Sequence, residues 1–124
     1  MTGPRIKSLV PMAHVADIAA SAAFYAKLGF EVAASFTPPK ADSPSWMSLT
    51  SDRAELMITR ADEPVLPEQQ AVLFYLYCDD VGAMHAMLCE AGLEPGPITR
   101  PFYNPNGEFR LSDPDLYVVM VTHL

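Results

Sequence analysis

Basic residues are scarce in this chain: eight Lys and Arg stand against fifteen Asp and Glu, a formal charge of −7 over 124 residues. No Lys/Arg cluster is present to displace counterions from a polyanion, so neither nucleic acid nor an anionic membrane is an expected partner. The acidic balance keeps a small protein soluble and mildly favours cationic ligands. Cysteine is nearly absent. Cys78 and Cys89 offer neither a disulfide framework nor metal-ligand spacing, and two reduced, partly buried thiols are expected. No apolar run approaches the ~20 residues that cross a bilayer. The opening Met1-Thr2-Gly3-Pro4-Arg5 lacks the apolar stretch of a signal peptide, so a cytoplasmic location is expected. Gly-x-Ser-x-Gly, a P-loop, a Rossmann glycine pattern and Cys-x-x-Cys are all missing.

What the chain does contain is a repeat. Asp17-Ile18, Ala20, Ala23-Phe24-Tyr25 and Gly29-Phe30-Glu31 reappear 63 positions on as Asp80-Val81, Ala83, Ala86-Met87-Leu88 and Gly92-Leu93-Glu94. Asp17 and Asp80 suit helix N-caps, because a short carboxylate accepts the free N–H groups of a first turn. This also explains Asp79-Asp80 without a paired-carboxylate site. Ile18, Ala22, Tyr25 and Leu28 fall at helical spacing, as do Val81, Met84, Leu88 and Ala91. Gly29 and Gly92 suit the left-handed position after a helix. Extended apolar segments at 6–15 and 71–78 precede the helices. Strand-like segments follow at 31–36, 46–50 and 55–59, then at 98–99, 108–112 and 117–122.

The fold class expected is therefore α+β: two βαβββ modules, about 1–62 and 68–124, with curved mixed sheets around a cavity. Proline-containing loops are expected at 37–45, 61–70 and 95–106, the middle one joining the modules. The third carries Arg100, Phe102, Tyr103 and Asn104, and reads either as a cavity lip or as a surface crossover. Asn104-Pro105-Asn106-Gly107 reads as a turn.

Val10-Pro11-Met12, Val15-x-Asp17 and Ser21-x-x-Phe24-Tyr25-x-x-Leu28-Gly29-Phe30 resemble the opening of the vicinal oxygen chelate superfamily, the glyoxalase, bleomycin-resistance and extradiol-dioxygenase proteins. The ending from Gly107 to Asp115, followed by Tyr117, is similar to that family's closing strand-turn-strand. The family turn is usually Asp-Pro-Asp-Gly; here Leu116 replaces the glycine, which implies a reshaped or strained turn. The resemblance also implies a homodimer, with modules exchanged or paired between subunits.

Enzymes of that superfamily bind a divalent metal through a His or carboxylate from the first and last strand of each module. The resemblance carries those positions onto Val10, Met57, Leu73 and Met120. Val10 to Leu73 and Met57 to Met120 both repeat the offset of 63, whereas matching Ser51-Asp52 to Ser112-Asp113 gives 61 and brings Thr59 against Met120. Neither alignment supplies donors for zinc, nickel, iron or manganese: valine and leucine offer nothing, and a thioether suits Cu(I). No metal or other cofactor is expected.

Strand alternation places Val10, Met12 and His14 on one face, Glu55, Met57 and Thr59 on a second row, and Leu73, Tyr75 and Tyr77 on a third. His14 and Glu55 are the ionisable candidates for catalysis in that set, with His85 and His123 reading as solvated. Met12, Met57, Leu73 and Met120 offer an adaptable apolar lining. Trp46, Tyr75, Tyr77, Phe102 and Tyr103 offer surfaces for a flat ring or a cation; core packing is the competing role for all of them. The function expected is a metal-free protein that binds a small organic molecule, similar in type to the bleomycin-resistance branch, sequestering an antibiotic or other aromatic ligand. The alternatives are a metal-dependent lyase, isomerase or dioxygenase with displaced ligands, and a metal-free enzyme with His14 as base and Tyr75 or Tyr77 as proton donor. A partner-regulating protein is the third class.

Overall fold

Helix ends organise both halves of the molecule. The computed structural model describes residues 3–124, with α1 at Ile18–Lys27 and α2 at Val81–Glu90. The Asp17 carboxylate accepts from Ala20 N–H at 3.0 Å, and that of Asp80 from Ala83 N–H at 2.9 Å. Gly29 (φ 95°) and Gly92 (φ 87°) take the left-handed conformation that glycine adopts without steric cost. That turn lets Phe30 N–H reach the Tyr25 carbonyl and Leu93 N–H the Leu88 carbonyl, each at 3.0 Å, closing the helices with Schellman ends.

Strands β1 (Met12–Val15), β2 (Glu31–Phe36), β3 (Trp46–Ser51) and β4 (Ala54–Arg60) form a sheet in the order β1-β4-β3-β2. Strands β5 (Leu73–Cys78), β6 (Glu108–Ser112) and β7 (Val118–His123) form a second in the order β5-β7-β6. The first and last strands of each module pair in parallel, the others antiparallel. Met12 lies opposite Met57, and Tyr75 opposite Met120, so both members of the pair shift by 63. Thr59 lies opposite His14 instead, which removes the alignment at 61. The turns are what mislead: Asp52-Arg53 closes the first hairpin, but Pro114-Asp115-Leu116 closes the second between Asp113 and Tyr117.

Three strand expectations change. β1 begins at Met12, not residue 6, and Ile6 and Leu9, ahead of it, stand 89% and 84% exposed. β5 begins at Leu73, not residue 71. The segment at 98–99 contributes only a bridge, Thr99 to Glu108. Pro95 and Pro97 lack the N–H groups a full ladder needs, so the second sheet stops at three strands.

Each helix covers one face of its own sheet. Phe24 and Tyr25 of α1 pack with Ala13, Val15, Leu49, Leu56 and Ile58; Val81 and Leu88 of α2 pack with Phe109, Leu111, Val119 and Val121. The two modules are joined through the second hairpin. Asp113 accepts from the Asp115 and Tyr117 N–H groups at 2.9 Å and from the Tyr25 hydroxyl at 2.7 Å. Asp115 accepts from Ala16 N–H at 3.0 Å, and the Tyr117 hydroxyl donates to the His14 carbonyl at 3.0 Å. Burial raises the Asp113 carboxyl above the ordinary range, against the Tyr25 bond that lowers it. Burial first, then the Asp113 charge, holds the Tyr25 hydroxyl far above the usual phenol range, so it stays a donor. Leu116 sits in this turn at φ 67°, which is the strained outcome of losing the glycine.

Candidate functional site

With helices on one face, each sheet leaves its other face open, and strand alternation decides who stands there. On the first sheet Met12, His14, Glu55, Met57, Thr59, Ser48 and Trp46 alternate with the buried Ala13, Val15, Leu56 and Ile58. On the second, Leu73, Tyr75, Tyr77, Val118, Met120, Thr122, Glu108 and Arg110 alternate with Phe109, Leu111, Val119 and Val121. Register organises these into rows: Leu73–Val118–Ser112, Tyr75–Met120–Arg110 and Tyr77–Thr122–Glu108. Leu73, Tyr75 and Tyr77 are 52%, 45% and 62% exposed, so the described residues cover this apolar surface only in part.

His14 and Glu55 share the open face of the first module but not a site. His14 pairs with Thr59, four residues along β4 from Glu55, a separation of about 13 Å at strand rise. Glu55 instead accepts a hydrogen bond from the Ser48 hydroxyl at 3.0 Å. The positions implied for a metal, Val10, Met57, Leu73 and Met120, carry no hard or borderline donor, so these residues do not fit a divalent ion. Among the described residues no three His, Cys, Asp or Glu side chains come together as a metal would require.

Three clefts divide the candidate residues. One of about 540 Å³ follows the linker between modules, with His14, Glu63, Leu66, Gln70 and Tyr117 on its walls. A second, about 440 Å³, takes Tyr75 and Tyr77 beside Arg53 and Cys78. A third of about 440 Å³ takes Glu55, Leu73 and Tyr75. Met12, Trp46, Met57, Phe102, Tyr103 and Met120 line none of these three. Phe102 is 96% exposed and meets Tyr103 edge-on at 5.4 Å, which fits a projecting lip better than core packing. The expectation of a solvated His85 is corrected: its Nε2 lies 2.9 Å from the Gly96 carbonyl and its ring meets Phe109 edge-on at 5.0 Å. Cys89 is exposed, not partly buried.

Sequence reasoning missed Glu108. It is 4% exposed on an open face, and its Oε2 accepts from the Tyr103 hydroxyl at 2.9 Å. This bond is the first cause that raises the Tyr103 hydroxyl above the usual phenol range. Alternation with Phe109 and Leu111 was enough to put Glu108 on the open face. Its burial, produced by the loop folding back, carried no local signal. The Asn104 amide anchors the same loop to the Thr122 hydroxyl.

Two modules, each with a helix on one sheet face and the other face open, define the fold, and its family follows from residues 7–121. They match the glyoxalase/bleomycin resistance protein/dioxygenase superfamily, and the chain belongs to it. A bleomycin-binding protein complexed with bleomycin is 18% identical, with a TM-score of 0.74 over 96% of this chain and 99% of that one. An antibiotic-binding protein from Streptomyces is 20% identical, with a TM-score of 0.72 over 99% and 98%. Lactoylglutathione lyase from Agrobacterium tumefaciens is 18% identical, with a TM-score of 0.69 over 97% and 96%. Binders and an enzyme thus share the fold, and at such identity the likeness establishes the fold alone. No curated protein matches the sequence significantly. Among the described residues no helix is long and apolar enough to cross a membrane.

Proposed function

We propose that the chain is a metal-free binding protein that sequesters a small organic molecule against its open sheet faces, as a homodimer in which a second copy covers them. The observation that carries this is the apolar surface of the second module: Leu73, Tyr75 and Tyr77 lie exposed in a row above a packed sheet. Methionine and aromatic side chains adapt to an irregular ligand, and aromatic faces stack on flat rings. Valine, leucine and methionine at the positions implied for a metal support binding without Lewis-acid chemistry. The named function of the bleomycin-binding and antibiotic-binding neighbours supports an antibiotic as the ligand class.

The test is a thermal-shift series on the purified chain with cationic and aromatic antibiotics, bleomycin first. A binder raises Tm with ligand concentration by mass action, and mass spectrometry recovers the compound unchanged. A chemically altered compound would make the protein an enzyme, and no shift with any compound would remove the binding role. Light scattering on the same sample should give twice the chain mass. Zinc, nickel, manganese and iron(II) should each be retained at less than about a tenth of an equivalent after desalting.

A further inference from the structure

Three carboxylates are buried among the described residues: Glu108, Asp113 and Asp115. Asp113 is bound by backbone N–H groups and Tyr25, and Asp115 by Ala16 N–H, in the hairpin that joins the modules, although Asp115 Oδ2 is also buried without a hydrogen-bond partner. Glu108 has no such structural duty. Its Oε1 is buried without a hydrogen-bond partner, and its Oε2 accepts from Tyr103, a side chain 62% exposed on the loop above. Burying an ionised carboxylate with one oxygen unmatched is costly unless a donor completes it.

The surroundings state what kind of donor fits. Glu108 closes the row Tyr77–Thr122–Glu108 on the open face. Tyr75 lies 6.5 Å from Tyr77, ring to ring, and Phe102 lies edge-on to Tyr103. A carboxylate among aromatic rings matches an ammonium group: the carboxylate takes the N–H donors and the ring faces attract the charge. Shifting by the 62 positions that relate β3 to β6, the equivalent residue in the first module is Trp46, so only the second module offers this acid. The net charge of −7 also favours approach of a cation.

We infer that Glu108 anchors an organic cation, an amine bearing N–H donors on an aromatic or aliphatic body, on the open face of the second module. The inference rests on the ligand-binding role proposed above and names the chemical class that this face selects. In the free chain the Tyr103 hydroxyl occupies one carboxylate oxygen. The exposed tyrosine swings outward when the amine enters, and the amine supplies the donor that Oε1 lacks.

Tryptamine and tryptophol test this, since they share one ring system and differ in carrying an ammonium or a hydroxyl group. Isothermal titration of the full chain at neutral pH should show tryptamine binding at least about tenfold more tightly, the range of a hydrogen bond to a charged group. Glu108→Gln should lose the preference for tryptamine over tryptophol. Tyr103→Phe removes the competing hydroxyl and should widen the preference several-fold. It also decides the matter if Glu108→Gln fails to fold, because an unchanged or narrower preference in Tyr103→Phe overturns the inference. Equal affinity of the two probes in the wild type, or a preference that survives Glu108→Gln, overturns the cation anchor while leaving ligand binding in place. Failure of both probes and of the antibiotic series removes both.

Discussion

The two modules share helix ends and strand register yet differ in depth. The first has a four-stranded sheet and places ten of the sixteen buried apolar core residues, from Ala13 to Ile58; the second places six on three strands. α1 buries Ile18, Ser21, Phe24 and Tyr25, where α2 buries Val81 and Leu88. The prolines at 95 and 97 account for the lost strand. The thinner module carries the exposed tyrosine row and the buried acid, and the thicker one holds it in place through Tyr25. The lesson is a division of labour that duplication of one unit permits: one copy packs, the other presents.

The largest expected effects test that difference in depth. Ile58→Ala, at a fully buried position of the first module, should cost about 4 kcal/mol in urea unfolding, and Leu88→Ala in the second about 3 kcal/mol. A reversed order would mean that the second core is the tighter one. Next comes the link between modules. Tyr25→Phe leaves the buried Asp113 carboxylate short of a donor and should cost about 2 kcal/mol by the same measurement. A loss below about 0.5 kcal/mol would show that the modules dock without this bond.

Leu116→Gly should act in the opposite direction. It releases a left-handed leucine that is 54% exposed, so little packing is lost and about 1 kcal/mol should be gained, seen as a raised melting temperature. A decrease would show that the leucine side chain holds the turn.

The smallest effect concerns pH. Because burial raises the Asp113 carboxyl in the folded state, its contribution to stability is full below the ordinary aspartate value and fades as pH rises through the raised one. Melting curves between pH 3 and pH 7 should therefore show wild type gaining on Asp113→Asn as the pH falls. A gap that narrows on acidification would mean that the Tyr25 and backbone bonds outweigh burial.

Much of the scaffold was legible because it is local. Asp17, Asp80, Gly29 and Gly92 mark helix ends through bonds spanning a few residues, and alternation along β4 and β5 assigns faces before any tertiary contact is known. The missing donors at Val10, Met57, Leu73 and Met120 are likewise a matter of side-chain chemistry. Strand lengths were less legible, since residues 6–10 have strand-like composition but lie outside every strand of the two sheets.

The sequence by itself determined the repeat, its caps and the faces of its strands, because each depends on residue type and short spacing. Tertiary structure decided the rest. The prolines reduced a strand to one bridge, the second hairpin reached Tyr25 and Ala16 across the modules, and the loop carrying Tyr103 closed over Glu108. Those outcomes depend on which distant groups meet, and desolvation of a carboxylate is set by what folds over it, not by its neighbours in the chain.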